Sequence, residues 1–175
     1  ALARRYYQSQ DALTVRSKGT QDVVSEADTE VEKLIRGAVE ERFPDDAFFG
    51  EEFGHNDVDG AQAIWIVDPI DGTQPFLCEL SSWCVSIGFA WQGRLEMGFL
   101  AAPARDEIFL GRRGHGATLN GRPIRVSEST SLDDGLLSIG MSPRIGPEEI
   151  VPIVDALLRQ GVVYYREGSG ALSLA

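Results

Sequence analysis

Apolar positions along the chain follow two periods, and the change between them organises it. Val31, Leu34, Ile35, Ala38, Val39 and Phe43 recur at intervals of three and four, the spacing of one helix face. Ser25 offers an N-cap, Glu26 and Asp28 put acids in the first turn, and Pro44 ends the pattern. Residues 1–10 read as the end of a further helix. From Ala63 the period shortens: Ile64-Trp65-Ile66-Val67 reads as a buried strand and Trp83 to Trp91 as a second. A turn at Gln92-Gly93 leads to a third strand, Arg94 to Ala101, and Glu107 to Arg112 makes a fourth. Ala117-Thr118-Leu119 runs into Asn120-Gly121, a hairpin signal, with Ile124-Arg125-Val126 beyond it. An antiparallel meander preceded by helices predicts a layered α+β sandwich, with N-terminal helices packed on an antiparallel sheet.

Ser127 to Asp134 is polar and reads as a connection. After it come a short strand (Leu136 to Ile139), a helix from Glu148 to Gln160 and a strand at Val162 to Tyr165. Gly168-Ser169-Gly170 then opens what reads as a new helix, close to the last residue, Ala175. The expected organisation is an N-terminal α+β domain over residues 1–134 and the start of a C-terminal α/β domain over 135–175, left incomplete. The absence of an initiator Met fits a processed or partial chain.

Composition narrows the function classes. A hydrophobic fraction of 43% suits a folded globular protein, and no apolar run approaches the ~20 residues that cross a bilayer. The net charge of −11 argues against nucleic acid or an anionic membrane as partner, and a phosphorylated substrate would need local cations to approach. Cys78 and Cys84 make no disulfide framework and are expected to be reduced, buried core residues, in keeping with a cytoplasmic setting. His55 and His115 lie in polar, Gly-rich stretches and read as surface residues.

Asp68-Pro69-Ile70-Asp71-Gly72-Thr73 is the segment that packing alone does not explain. It ends a hydrophobic run in two acids three residues apart. At a separation of about 4 Å and an effective dielectric of about 20, such a pair repels by about 4 kcal/mol. A divalent cation would remove that cost. The Asp68 and Asp71 carboxylates with the Ile70 carbonyl form a set of hard oxygen ligands suited to Mg²⁺. Gly72 and Thr73 can offer N–H groups to a phosphate if a helix begins there. Glu51, in Phe48-Phe49-Gly50-Glu51-Glu52, is either part of an exposed acidic turn or a third carboxylate for the cation. Asp28 has a sufficient role in stabilising its helix dipole. The loop Lys18 to Asp22 reads as a plain connection or a mobile lid.

With these segments in order, the chain resembles the inositol monophosphatase family of Mg²⁺-dependent, lithium-sensitive sugar phosphatases. The matching segments are Val24-Ser25-Glu26-Ala27-Asp28, Gly50-Glu51-Glu52 and Trp65 through Thr73. Arg105-Asp106-Glu107, Gly114-His115-Gly116-Ala117, Asn120-Gly121 and Gly168-Ser169-Gly170-Ala171-Leu172 follow in the family's order. The resemblance implies a cytoplasmic Mg²⁺-dependent phosphomonoesterase, commonly a homodimer, that hydrolyses a small phosphorylated polyol such as inositol monophosphate by direct attack of water. It implies Glu51, Asp68, the Ile70 carbonyl and Asp71 as metal ligands, and Glu51, Asp71, Gly72 and Thr73 as substrate contacts. Asp28 and Thr73 would orient and activate the water, with Glu51 assisting.

Two departures shape these expectations. Gln74-Pro75-Phe76 stands where the family has Asn then Phe after Gly-Thr-x, a variant similar to histidinol-phosphate phosphatases; a 3′-phosphonucleotide phosphatase is a further alternative. A later Asp of a Trp-Asp segment, another metal ligand in the family, is absent, because the tryptophans precede Ile66, Cys84 and Gln92. If these residues were the whole polypeptide, weak or no activity would be expected, as in a truncated relative that binds metal without turnover. Haloacid-dehalogenase-type phosphatases, with Asp-x-Asp-Gly-Thr, are set aside: their acids are two apart and near the N-terminus.

Overall fold

The computed structural model describes residues 2–9, 14–19, 22–56, 58–141 and 145–175. Helix α1 (Leu2–Tyr7) leads through a hairpin of β1 (Val15–Gly19) and β2 (Asp22–Ser25) into the long α2 (Glu26–Arg42). Strands β3 (Ala47–Gly50), β4 (Gly54–Asn56) and β5 (Ala63–Asp71) follow, then the five-residue α3 (Thr73–Leu77). The meander comprises β6 (Cys84–Trp91), β7 (Arg94–Ala102), β8 (Glu107–Arg112), β9 (Gly116–Leu119) and β10 (Arg122–Ile124). Beyond it lie β11 (Leu137–Ser138), α4 (Pro147–Arg159) and β12 (Tyr164–Tyr165).

Among the described residues eight strands form one sheet, in the order β10-β9-β8-β7-β6-β5-β3-β4. Every neighbouring pair is antiparallel except β3 and β5. The expected α+β architecture is therefore the observed one. The hairpin signals hold in detail: Gln92-Gly93 and Asn120-Gly121 all have positive φ, the conformation that matches a tight turn to the strand twist.

Several local expectations are corrected. Phe48, Phe49 and Gly50 form part of β3, which its pairing with β5 decides, and the acids that follow stand in a turn with Glu51 exposed. Lys18 to Asp22 is not simply a loop, because β1 and β2 pair on either side of it; Thr20 and Gln21 lie outside the described residues. Val126 lies past the end of β10 and is exposed. Leu34, Ala38 and Phe43 are exposed as well, so the buried stripe of α2 is narrower than its apolar pattern. It runs along Ala27, Val31 and Val39, flanked by the fully buried Asp28 and Glu32. Only a short 3₁₀ turn, Leu172–Leu174, follows Gly168-Ser169-Gly170.

Two clusters join α2 to the sheet. One gathers Ala27, Val31, Ile70, Phe76 and Trp83 with Ala3 of α1; the other gathers Val39, Phe48 and Val67. A third, of Cys84, Ala102 and Leu172, lies on the other side of the sheet. In the first, Phe76 meets Trp83 edge-on at 4.9 Å, and Tyr7 lies 5.7 Å from Phe76 and 5.2 Å from Trp83. This aromatic knot fixes the segment that follows Asp71. On the far side of the sheet an open apolar groove is lined by Leu95, Leu100, Phe109 and Leu119, and in α4 Val151, Ile153 and Leu158 are exposed. No helix among the described residues is long and apolar enough to cross a membrane.

Phe76 is fully buried, so Phe76→Ala should remove about 3–5 kcal/mol of stability, read as a lower urea midpoint with an unchanged m-value.

Candidate functional site

The site begins with a fault in the ladder. Asp68 pairs with Ser86, but Asp71 pairs with Cys84, so three steps along β5 answer two along β6. Residues three apart in a regular strand face opposite sides. The extra residue of this bulge restores Asp71 to the side of Asp68. Pro69 explains the location, since a residue without an N–H cannot extend the ladder. The Asp68 carboxylate then accepts the Ile70 N–H at 3.1 Å, stiffening the bulge.

Gly72 turns the chain out of β5 with φ of 95°. A Cβ there would lie 2.7 Å from the Ser82 carbonyl oxygen, so this position needs glycine for both conformation and space. A helix does start at Thr73, as the phosphate reading required, though it is short. The Thr73 hydroxyl lies 3.2 Å from Asp28 Oδ1 and 3.2 Å from the Ile70 carbonyl, and it donates to one of these at a time.

Asp28 is more than a helix-dipole residue. Its Oδ2 accepts the Ser25 N–H at 2.8 Å and the Ser25 hydroxyl at 2.5 Å, which caps α2. The other oxygen points to Thr73. Burial raises its carboxyl above the usual Asp value, against the lowering effect of the Ser25 and Thr73 hydrogen bonds.

Asp68 shows the electrostatic cost of the site most directly. Its carboxyl is pushed up to about 9, first by burial, then by the charges of Glu51 and Asp71, a hydrogen bond with Glu51, and the charge of Asp28. The structure thus brings Asp28, Glu51, Asp68 and Asp71 into one electrostatic cluster, with Ile70 and Thr73 between them. Glu51 comes from the turn after β3, where its N–H bonds the Val67 carbonyl at 3.1 Å.

Asp71 has a second engagement. Its Oδ2 accepts the Ser169 hydroxyl and the Ala171 N–H, both at 2.6 Å, and its Oδ1 accepts the Gly170 N–H at 3.2 Å. Asp71 is therefore the anchor that ties the segment after β12 to the end of β5. Beside it, Arg105 pairs with Glu167 and donates to the Ser81 carbonyl at 3.1 Å. Pro75, from the variant Gln74-Pro75-Phe76, sits against Gly168. No role followed from the residue pattern for Ser169, Ala171, Arg105 or Glu167; the Gly-Ser-Gly and Arg-Asp-Glu segments were the only signal. Glu32 was missed altogether, because a Glu four residues before an Arg reads as an ordinary surface pair.

The donor set fits a hard divalent cation: carboxylates and a carbonyl, with no thiolate or imidazole among the gathered ligands. Among the described residues no group of three or more His, Cys, Asp or Glu side chains stands arranged to hold a metal ion. Cys84 is free and buried; burial, with Asp71 and Asp68 nearby, pushes its thiol to about 12, so it is a neutral packing group. Cys78 is free but exposed, correcting the expectation that both cysteines are buried. His115 is exposed as expected, and the His55 side chain lies outside the described residues.

The whole of residues 1–175 matches the description of the inositol monophosphatase family. The chain belongs to that family. It is 35% identical over 171 residues to the Nus factor SuhB of Pseudomonas aeruginosa, covering 94% of this chain and 63% of that protein. It thus spans less than two thirds of that relative's length. The crystal structure of the extragenic suppressor protein suhB from Bartonella henselae superposes with a TM-score of 0.89 at 33% identity, over 98% of this chain and 67% of that one. An IMPase/NADP phosphatase complexed with Mg²⁺ and phosphate shares the fold, with a TM-score of 0.81 at 20% identity over 98% of this chain and 64% of its own.

The raised Asp68 carboxyl gives a pH signature for this family member. Without cation the folded state keeps a proton on Asp68 that the unfolded chain, with its carboxyl near 3.8, has released. The stability this group contributes is complete below the unfolded value and falls as pH rises from there toward about 9. Asp68→Asn should flatten the decline in urea midpoint between about pH 5 and about pH 8 in cation-free protein. Adding Mg²⁺ near neutral pH should release about one proton from the wild type and none from this variant, measured by calorimetry in buffers of different ionisation enthalpy.

Proposed function

We propose that this chain carries the cation- and phosphate-binding part of a Mg²⁺-dependent phosphomonoesterase acting on a small phosphorylated polyol such as inositol monophosphate. The observation that carries this reading is the gathering of Glu51, Asp71 and Asp28 around a buried Asp68, whose carboxyl is pushed up to about 9 by burial first and by these neighbours after it. A fold tolerates such a cluster when a cation offsets the repulsion. The hard-oxygen donor set supports Mg²⁺, as do the Mg²⁺ and phosphate bound by the phosphatase of the same fold.

Glu51, Asp68, the Ile70 carbonyl and Asp71 would hold the ion. Mg²⁺, when bound, would supply charge neutralisation at the phosphoryl oxygens and a lowered pKa for water. The chain's own residues do the rest. The N–H groups of Gly72 and Thr73 face the phosphate. The Thr73 hydroxyl directs its proton to Asp28 and so presents its lone pairs to the attacking water. Asp28, its proton affinity raised by burial, takes the proton, while Ser25 keeps its other oxygen fixed. Glu51, the exposed member of the set, assists from the solvent side. Water attacks phosphorus directly, giving a proton to Thr73 as Thr73 passes its own to Asp28; the ester P–O bond breaks and the alkoxide leaves, taking a proton from solvent, with no phosphoenzyme.

Further parts of the proposal are a unit boundary near residue 134, a cytoplasmic setting supported by the free thiols, and homodimers. A net charge of −11 argues against direct nucleic-acid contact. A second reading, a cation-binding relative without turnover, is favoured by Asp71's engagement with Ser169 and Ala171.

Phosphate release with Mg²⁺ from inositol 1-phosphate, histidinol phosphate, fructose bisphosphate and a 3′-phosphonucleotide tests these readings. Turnover is expected to be fastest on the polyol phosphate. Asp28→Asn should lower kcat about 10²–10⁴-fold while leaving Mg²⁺-dependent proton release intact. Activity that survives Asp71→Asn would sink the mechanism; cation binding without phosphate release from any substrate would favour the second reading.

A further inference from the structure

Helix α2 carries three charged residues one turn apart on its inward side: Asp28, Glu32 and Arg36. Asp28 belongs to the site above. Glu32 stands outside it, yet its carboxylate is completely buried. Oε2 accepts the Glu52 N–H at 2.8 Å, and Oε1 accepts the Phe53 N–H at 3.2 Å. Arg36, 14% exposed, donates to Glu32 Oε1 and to the Gly54 carbonyl, each at 3.3 Å. Its guanidinium lies 4.3 Å from the centre of the Phe48 ring. On the other side a Cβ at Gly50 would overlap the Glu32 carboxylate. The turn from Gly50 to Gly54 is thus gripped at Glu52, Phe53 and Gly54 by one buried ion pair, and Glu51 comes directly before the gripped residues.

Burying a carboxylate in this way adds little net stability, because desolvation offsets most of what its partners return. Its placement has another consequence. Glu51 shares a hydrogen bond and an electrostatic interaction with Asp68 from an exposed turn, so its place at the cluster depends on how that turn is held. Hydrogen bonds on the two residues after Glu51, with its own N–H on Val67, hold the turn in that place.

We propose that Glu32, braced by Arg36, is a positioning residue that holds Glu51 at the carboxylate cluster and so sets the site's affinity for a divalent cation. This rests on the cation-site reading above. Outer partners that orient a ligand from behind typically govern metal affinity without touching the metal.

The test is Mn²⁺ binding to the full chain stripped of metal, followed by electron paramagnetic resonance, with thermal unfolding recorded for every variant. Glu32→Gln keeps the side chain's shape but turns an NH₂ toward one of the two N–H groups. It is expected to weaken Mn²⁺ binding about 10–100-fold. Gly50→Ala, which displaces the Glu32 carboxylate without removing its charge, should do the same. Val39→Ala, a core truncation on the same helix, should lower the melting temperature and leave Mn²⁺ affinity as it was.

A folded Glu32→Gln that binds Mn²⁺ like the wild type overturns the proposal, and so does an equal loss in Val39→Ala, which would mark a purely structural effect. If Glu32→Gln does not fold, Gly50→Ala carries the test with the same two outcomes. Failure of the wild type to bind Mn²⁺, or no effect of Glu51→Gln, defeats the cation-site reading and this inference with it. A loss in Glu51→Gln with none in Glu32→Gln or Gly50→Ala defeats the positioning role alone.

Discussion

Mutual repulsion among carboxylates at the end of β5 is the constraint around which this molecule is arranged. Burial first, then the charges of Glu51 and Asp71, a hydrogen bond with Glu51 and the charge of Asp28, push the Asp68 carboxyl up to about 9. Left to themselves these groups would move apart into water. Three separate elements hold them in place: a bulged strand for Asp68 and Asp71, a capped helix for Asp28, and a gripped turn for Glu51. Beneath them Ile70, Phe76 and Trp83 are buried with almost no exposure, so apolar packing offsets the electrostatic strain.

The cluster is not uniform. Asp28 is fully buried and locked by Ser25, while Glu51 is exposed. Thr73 connects the buried end to the strand end through a single hydroxyl proton. Asp71 faces two ways, toward the cluster and toward the Ser169–Ala171 backbone. A residue that serves both as a charged member of the site and as the anchor of a later segment couples that segment's position to the site. Arg105 and Glu167 reinforce the same junction, and Pro75 packs against its Gly168.

How much of this was legible depended on the range of the interaction. Elements stabilised by their own pattern were readable: α2 from its cap and apolar spacing, and β6 to β9 from alternation and the Asn-Gly and Gln-Gly turns. Strand β3 was not, because four residues form a strand only when β5 is there to pair with. The same held for the hairpin of β1 and β2. In α2 the apolar pattern misjudged Leu34 and Phe43, which face solvent, while charged Asp28 and Glu32 are buried.

The sequence by itself determined the helix-then-meander order and marked one candidate site, because Asp68-Pro69-Ile70-Asp71-Gly72-Thr73 packs two acids, a missing donor and a turn glycine into one contiguous stretch. It also named Glu51 and Asp28 as candidates, without deciding between a structural and a chemical role. The tertiary structure decided where they stand. It converted a three-residue spacing into a same-side pair through a bulge, brought Asp28 from one element and Glu51 from another to that pair, and bound Asp71 to a segment 98 residues away. Repulsion, burial and hydrogen bonding act through space, and residues far apart in the chain acquire them only once the backbone has closed around them.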